Sequence, residues 1–171
     1  TLTGTYSVRA AGVHQFTNRA APNDQKWRGA VLAKGDFQPN EDWRWGFDGT
    51  LASDHGFLSA YDIDKREVAV NQVYATGLWD RTYVDVRALN FAPLDTDLSR
   101  DVLPTAVPFV TGDHSLSHDT YGEFGLTWSA YSLQRQSAYT PFNTVDLGTE
   151  QSRAVANLHW KTQWVSDIGQ V

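Results

Sequence analysis

The chain has 171 residues, of which 41% are hydrophobic and 13% aromatic, and a formal net charge of −6. Its size allows one domain with a core, and its acidity argues against a nucleic-acid partner, which would need a basic patch. No cysteine is present, which rules out a disulfide framework and a thiolate metal site.

Methionine is also absent and the chain opens Thr1-Leu2-Thr3, so a processed or excised piece of a longer protein is expected. No apolar run approaches the roughly 18 residues of a transmembrane helix. That excludes a helical membrane protein. It leaves open a barrel, whose strands carry only an alternating signal.

Periodicity gives eight strand candidates in chain order, at 3–17, 26–37, 42–53, 67–79, 82–92, 103–118, 121–136 and 150–165, and no amphipathic helix. Several exceed the roughly 5–6 residues of an ordinary strand and suit the roughly 9–11 of a tilted membrane strand. The second candidate sets Trp27, Val31, Ala33 and Phe37 against Arg28, Lys34 and Asp36. In the third, Trp43, Trp45, Phe47, Gly49 and Leu51 oppose Asp42, Arg44, Gly46, Asp48 and Thr50. The eighth repeats the division, with Ala154, Ala156, Leu158, Trp160 and Trp164 opposite Arg153, Asn157, His159, Lys161 and Gln163. Successive side chains point to opposite faces, so each of these strands has a greasy and a wet side. The middle strands alternate less cleanly: Tyr83, Asp85, Arg87, Leu89 and Phe91 mix chemistry on one face.

The connections alternate between long (18–25, 54–66, 93–102, 137–149) and short (38–41, 80–81, 119–120). Asn23-Asp24, Pro39-Asn40, Asp80-Arg81 and Asp119-Thr120 are turn chemistry. Tight turns at one rim and roomy loops at the other are expected of an outer-membrane barrel. Greek-key crossings usually disturb such a pattern in a sandwich. The expected fold is therefore an all-β, antiparallel up-and-down meander of about eight strands, a segment of a transmembrane barrel that is an open curved sheet or a partial barrel in isolation. Residues 1–171 form one such segment, with both termini on the short-turn side. Tyr6, Phe16, Trp27, Phe37, Trp43, Trp79, Tyr83 and Trp164, near strand ends, would form interfacial girdles. The alternative is a soluble, aromatic-rich β-sandwich that binds carbohydrate.

The run Gly35-Asp36-Phe37-Gln38-Pro39-Asn40-Glu41-Asp42-Trp43-Arg44-Trp45-Gly46-Phe47-Asp48 is distinctive. It is followed by Leu51-Ala52-Ser53-Asp54, Phe57-Leu58, Tyr61-Asp62-Ile63-Asp64, Val70-Asn71-Gln72-Val73-Tyr74, Gly77-Leu78, Leu103-Pro104-Thr105-Ala106-Val107-Pro108 and the closing Asp167-Ile168-Gly169-Gln170-Val171. In order and spacing this string resembles the barrel domain of the lipopolysaccharide-assembly family LptD (OstA, Imp) in its alphaproteobacterial form. One departure is Asp54-His55-Gly56-Phe57, where the family pattern has a basic residue and Thr before the Phe.

The resemblance implies location in the cell outer membrane and a translocon that assembles lipopolysaccharide in the outer leaflet. It implies an LptE-type lipoprotein plug, an LptA-type periplasmic bridge and contact with outer-membrane lipid. This stretch would supply barrel wall and lumen, without the family's periplasmic jelly-roll domain and without the cysteines that some relatives pair.

On that reading Arg28, Lys34, Arg44, Asp48, Arg153, Asn157, His159 and Lys161 are the candidate lumen-facing residues. Trp27, Phe37, Trp43, Trp45, Phe47, Trp160 and Trp164 are the candidate lipid-facing or girdle aromatics.

No catalytic, cofactor or metal site is expected. His114 and His118 share a strand face but stand about 13 Å apart by the strand rise, too far to bind one ion. Asp62 and Asp64, or Glu41 and Asp42, read as turn formers rather than glycosidase acids.

Overall fold

The computed structural model describes residues 2–14, 27–54, 56–94, 100–135, 149–163, 165–166 and 169–170. Eight strands, β1 (Thr3–His14), β2 (Trp27–Gln38), β3 (Trp43–Ala52), β4 (Val68–Trp79), β5 (Thr82–Pro93), β6 (Thr105–His118), β7 (Gly122–Gln134) and β8 (Glu150–Lys161), follow one another in space as they do in sequence. Each neighbouring pair is antiparallel. The sheet is open, with β1 and β8 as its edges. Nearly all of β1 and all of β8 are exposed, since each lacks a neighbour on one side. Two-residue strands β9 (Val165–Ser166) and β10 (Gly169–Gln170) pair only with each other.

The expected meander is what forms, and among the described residues no second large sheet covers it as a sandwich would require. The strands run from 10 to 14 residues, and the expected boundaries hold to within a few residues. β8 is shorter than expected, stopping at Lys161. Residues 15–17, the expected tail of β1, and Trp164 lie outside the described residues.

Turn chemistry fixes the short-turn rim. Asn40 Oδ1 accepts hydrogen bonds from the backbone N–H groups of Asp42 (3.1 Å) and Trp43 (2.8 Å), closing the β2–β3 turn. Asp80, with φ of 46°, makes the two-residue β4–β5 hairpin in a conformation that Asp tolerates better than most residues. Gly122 enters β7 at φ 85°, and a Cβ there would run into the carbonyl of Lys161, so the position requires glycine.

The long connection 53–67 between β3 and β4 contains a one-turn helix, α1 (Phe57–Ala60). Phe57 is 1% and Leu58 0% exposed. They pack with Ala30, Ala69 and Leu94, and against Val13, Leu32 and Ala52. This cluster is the core that the sheet forms among the described residues. It lies at the long-loop rim and owes its existence to a loop folded back on the sheet. Phe57→Ala should cost about 3–5 kcal/mol of loop docking. The checks are increased protease cleavage within 53–67 and an unchanged β-sheet circular dichroism spectrum.

Candidate functional site

The registers tie the eight strands into two continuous faces. One row runs Ser7–Lys34–Asp48–Gln72–Leu89 and the next Thr5–Asp36–Gly46–Tyr74–Arg87–Phe109–Tyr131–Arg153. On this face fall Arg9, Arg28, Lys34, Asp36, Arg44, Asp48, Asp85, Arg87, Asp113, Glu123, Arg153 and Lys161. The other face has one charged strand residue, Glu150, at the very start of β8.

All eight polar candidates, Arg28, Lys34, Arg44, Asp48, Arg153, Asn157, His159 and Lys161, therefore share the charged face. Trp27, Phe37, Trp43, Trp45, Phe47 and Trp160 share the apolar one. The register also sorts the mixed fifth strand, because Asp85 pairs with Thr76 and Arg87 with Tyr74 on the charged face. Tyr83, expected in a girdle, sits on the charged face too, opposite Leu78 and Asp113.

Charged-face side chains are joined across strands. Arg44 Nε donates to both oxygens of Asp36 at 2.8 Å. From the other side the Tyr74 hydroxyl donates to Asp36 Oδ2. Tyr74 stands on β4 and Asp36 on β2, so the phenol must cross β3, and it does so over Gly46, where a Cβ would collide with its hydroxyl. Beyond it, the Arg87 guanidinium lies 5.6 Å from the Tyr74 ring centroid and donates to Asp85 at 2.6 Å. Thr76 donates to the same carboxylate at 2.9 Å. Lys34 and Asp48 pair more loosely at 3.8 Å. The exposed pairs, Arg44 with Asp36 and Lys34 with Asp48, contribute little, roughly 0–1 kcal/mol each, whereas Asp85 is buried and depends on Arg87 and Thr76 to hold its charge. Their effect here is to fix the register of β2 through β5.

At the long-loop rim the charged face becomes apolar. Arg28 holds Asp54 through two hydrogen bonds, one of them 2.8 Å from Nε, and lies over the Phe57 ring at 5.7 Å. Ala30, Leu32 and Ala52 beneath the loop have the charged-face parity, so α1 folds over that face. Asp64, bonded by Arg66 through Nε and Nη2 and by the Arg66 backbone N–H, closes a local turn at the other end of the loop.

The apolar face is exposed along its whole width, from Trp27 (71%) to Leu158 (74%). Its aromatics gather at the short-turn rim. Phe37 stacks on Trp45 at 4.5 Å, Trp43 on Trp79 at 5.7 Å and Phe124 on Trp160 at 6.2 Å. Monomeric soluble proteins rarely expose contiguous apolar patches beyond a few hundred Å²; a face eight strands wide exceeds that.

His114 is bonded to the Thr82 hydroxyl at 2.8 Å and His118 accepts from the Thr120 N–H at 3.2 Å. Asp62 pairs with Lys65 at 2.9 Å. Among the described residues no group of three or more His, Asp or Glu side chains could hold a metal ion. Likewise, none of their helices is long and apolar enough to cross a membrane. Tyr74, Asp85, Arg87 and the α1 loop were not foreseen as site elements. Only the spacing of Asp85 and Arg87 two apart carried a signal, and cross-strand register was needed to read it.

The hydrogen bond from Arg28 holds the Asp54 carboxyl below the usual carboxylate range, and that from Arg66 does the same for Asp64. A depressed folded-state pKa contributes stability above the unfolded value of about 3.9, lost as pH falls through the folded value. Exposure of 53–67, read by hydrogen exchange, should therefore rise as pH falls below the unfolded value of about 3.9, while Asp54→Asn should already show it above that value.

In a comparison with known families, the model described as LptD, LPS transport system D, matches residues 26–171. Neither the curated proteins nor the solved structures yield a match.

Proposed function

Since the chain belongs to the LptD family of lipopolysaccharide transport proteins, we propose that it forms a stretch of outer-membrane barrel wall, its apolar face in lipid and its charged face toward a conduit for lipopolysaccharide. The segregation of charge between the two faces carries this reading. On the lipid face of a barrel, Arg or Lys at the bilayer midplane costs roughly 2–4 kcal/mol. A sheet that keeps its strand charges off one face, apart from a rim Glu150, fits hydrocarbon on that side.

Spanning hydrocarbon also requires every backbone group to be paired, which strands achieve only in a closed sheet. The edges β1 and β8 would accordingly join further strands of the same wall. The aromatic stacks at the short-turn rim would lie at the periplasmic interface, where such rings are favoured.

Arg28, Lys34, Arg44, Asp48, Arg153, Asn157, His159 and Lys161 would then line the lumen. Their mixed charges suit passing sugars and phosphates without a tight stop, and no bond is made or broken. An LptE-type plug inside the barrel and an LptA-type bridge delivering lipopolysaccharide from the periplasm complete the proposed machine. The α1 loop, folded over the charged face, would narrow the conduit near its outer mouth.

Two adjacent substitutions test the assignment in the full gene product. Ala130 has the parity of the apolar face and Ser129 that of the charged face. Ala130→Arg should reduce outer-membrane assembly and surface lipopolysaccharide, at a cost of about 2–4 kcal/mol, while Ser129→Arg should leave both near wild type. Recovery of the protein as a soluble periplasmic monomer, or equal effects of the two variants, would overturn it.

A further inference from the structure

The edges of the apolar face run obliquely across the ladders. On β3 the face stays apolar from Trp43 to Leu51, and Ser53 follows. On β7 it runs from Phe124 to Ala130, and Ser132 and Gln134 follow. The registers set Trp128 in the row of Trp43, and Ala130 in the row of Trp45. From β3 to β7 the short-turn edge therefore drops four residues, Trp128 to Phe124, and the long-loop edge six, Leu51 to Trp45. At about 3.3 Å per residue and about 4.8 Å per strand, that is roughly 13–20 Å over about 19 Å, a slope of roughly 35–45°. Barrel strands cross a membrane at this tilt. A level band of hydrocarbon thus ends short of Ser132, Gln134, Glu150 and Ser152, although all have the parity of the apolar face.

Beyond that edge a polar row crosses β5 to β8 in register, Asn90–Thr105–Gln134–Glu150. It lines a hollow of about 390 Å³, together with Arg100, in the 3-10 turn before β6, and Arg135, just past β7. Asn90 donates to the Thr105 hydroxyl at 2.9 Å. The side chains of Arg100, Gln134 and Arg135 have no ion pair or hydrogen bond among the described residues. Glu150 borders the hollow without reaching either guanidinium.

We infer that this hollow holds the phosphate of a lipid headgroup in the outer leaflet. The inference rests on the wall reading above and goes beyond it by assigning a polar site at the end of the hydrocarbon band. Guanidinium groups match phosphate oxygens in both charge and geometry, and the Gln134 amide supplies a further donor. Two lining cations against one lining carboxylate leave the hollow positive. Depth selects a lipid as the source of the phosphate. Long loops face outward in such barrels, so the hollow lies at headgroup level, with the apolar face of β7 and β8 below it for the acyl chains.

The test uses the full-length protein in a non-ionic detergent, titrated with dioleoylphosphatidic acid and, separately, with dioleoylglycerol, which lacks only the phosphate. Wild type should bind the phosphatidic acid about tenfold or more tighter than the glyceride. Arg100→Gln and Arg135→Gln should each remove about tenfold of that preference, the lower end of what a hydrogen bond to a charged group contributes. Glu150→Gln should instead strengthen it. Arg9→Gln, the same charge change on the charged face of β1, should match wild type. The site is overturned if wild type shows no preference, or if Arg9→Gln weakens binding as much as the two hollow variants do. Inorganic phosphate that displaces the lipid at equal concentration would overturn the headgroup as its occupant. A protein that assembles in the outer membrane but gives any of these results loses only the site. One that never enters the membrane loses the wall assignment and the site together.

Discussion

Everything in this molecule follows from one sheet having to meet two different surroundings without a second layer to help. A sandwich hides its apolar faces against each other; this meander has no such partner among its described residues, and its apolar side chains stand exposed across eight strands. Strand geometry allows only one way to satisfy that condition, alternation at every second residue. A slip of one residue in any ladder would carry a whole strand of charges to the apolar side. Register is therefore the quantity the rest of the structure protects.

Several devices protect it. The Asn40 turn and the tight hairpin at Asp80 set the phase of β2–β3 and β4–β5. The reach of Tyr74 over Gly46 to Asp36 locks three strands at once, since a shift of any of them breaks the contact. Asp85, 3% exposed, is bonded by both Arg87 and Thr76 and does the same for β4 and β5. The Asp36 pair is partly exposed and needs little net energy to be useful, while buried Asp85 relies on its two donors. Their value is geometric.

The long-loop rim departs from this pattern in a coordinated way. There the charged face turns apolar at Ala30, Leu32 and Ala52, and the loop that covers it is tied down by Arg28 and Asp54. At the same height the β3–β4 ladder ends, its last pair being Asp48 with Gln72. One short segment thus supplies a local core and covers part of the charged face. Cooperation of this kind makes the 53–67 connection more than a link between strands.

Much of this was legible in the residues themselves. Alternation in β2, β3 and β8 sorted Arg28, Lys34, Arg44, Asp48, Arg153, Asn157, His159 and Lys161 from the tryptophans, because period two is a local property that needs no neighbour. Turn residues and connection lengths gave the up-and-down order for the same reason. What needed tertiary structure was whatever depends on which strand lies beside which. In β5, the mixed series from Tyr83 to Phe91 became interpretable only when pairing set Asp85 beside Thr76 and Arg87 beside Tyr74. Leu32 and Ala30 fall on the same face of β2 as Arg28, Lys34 and Asp36, and the packing of Phe57 and Leu58, distant along the chain, accounts for them. The sequence by itself determined that this protein is a two-faced meander, since side-chain alternation is written one residue at a time. Tertiary structure decided where that meander opens and where it is plugged, since both depend on contacts between residues far apart in the chain.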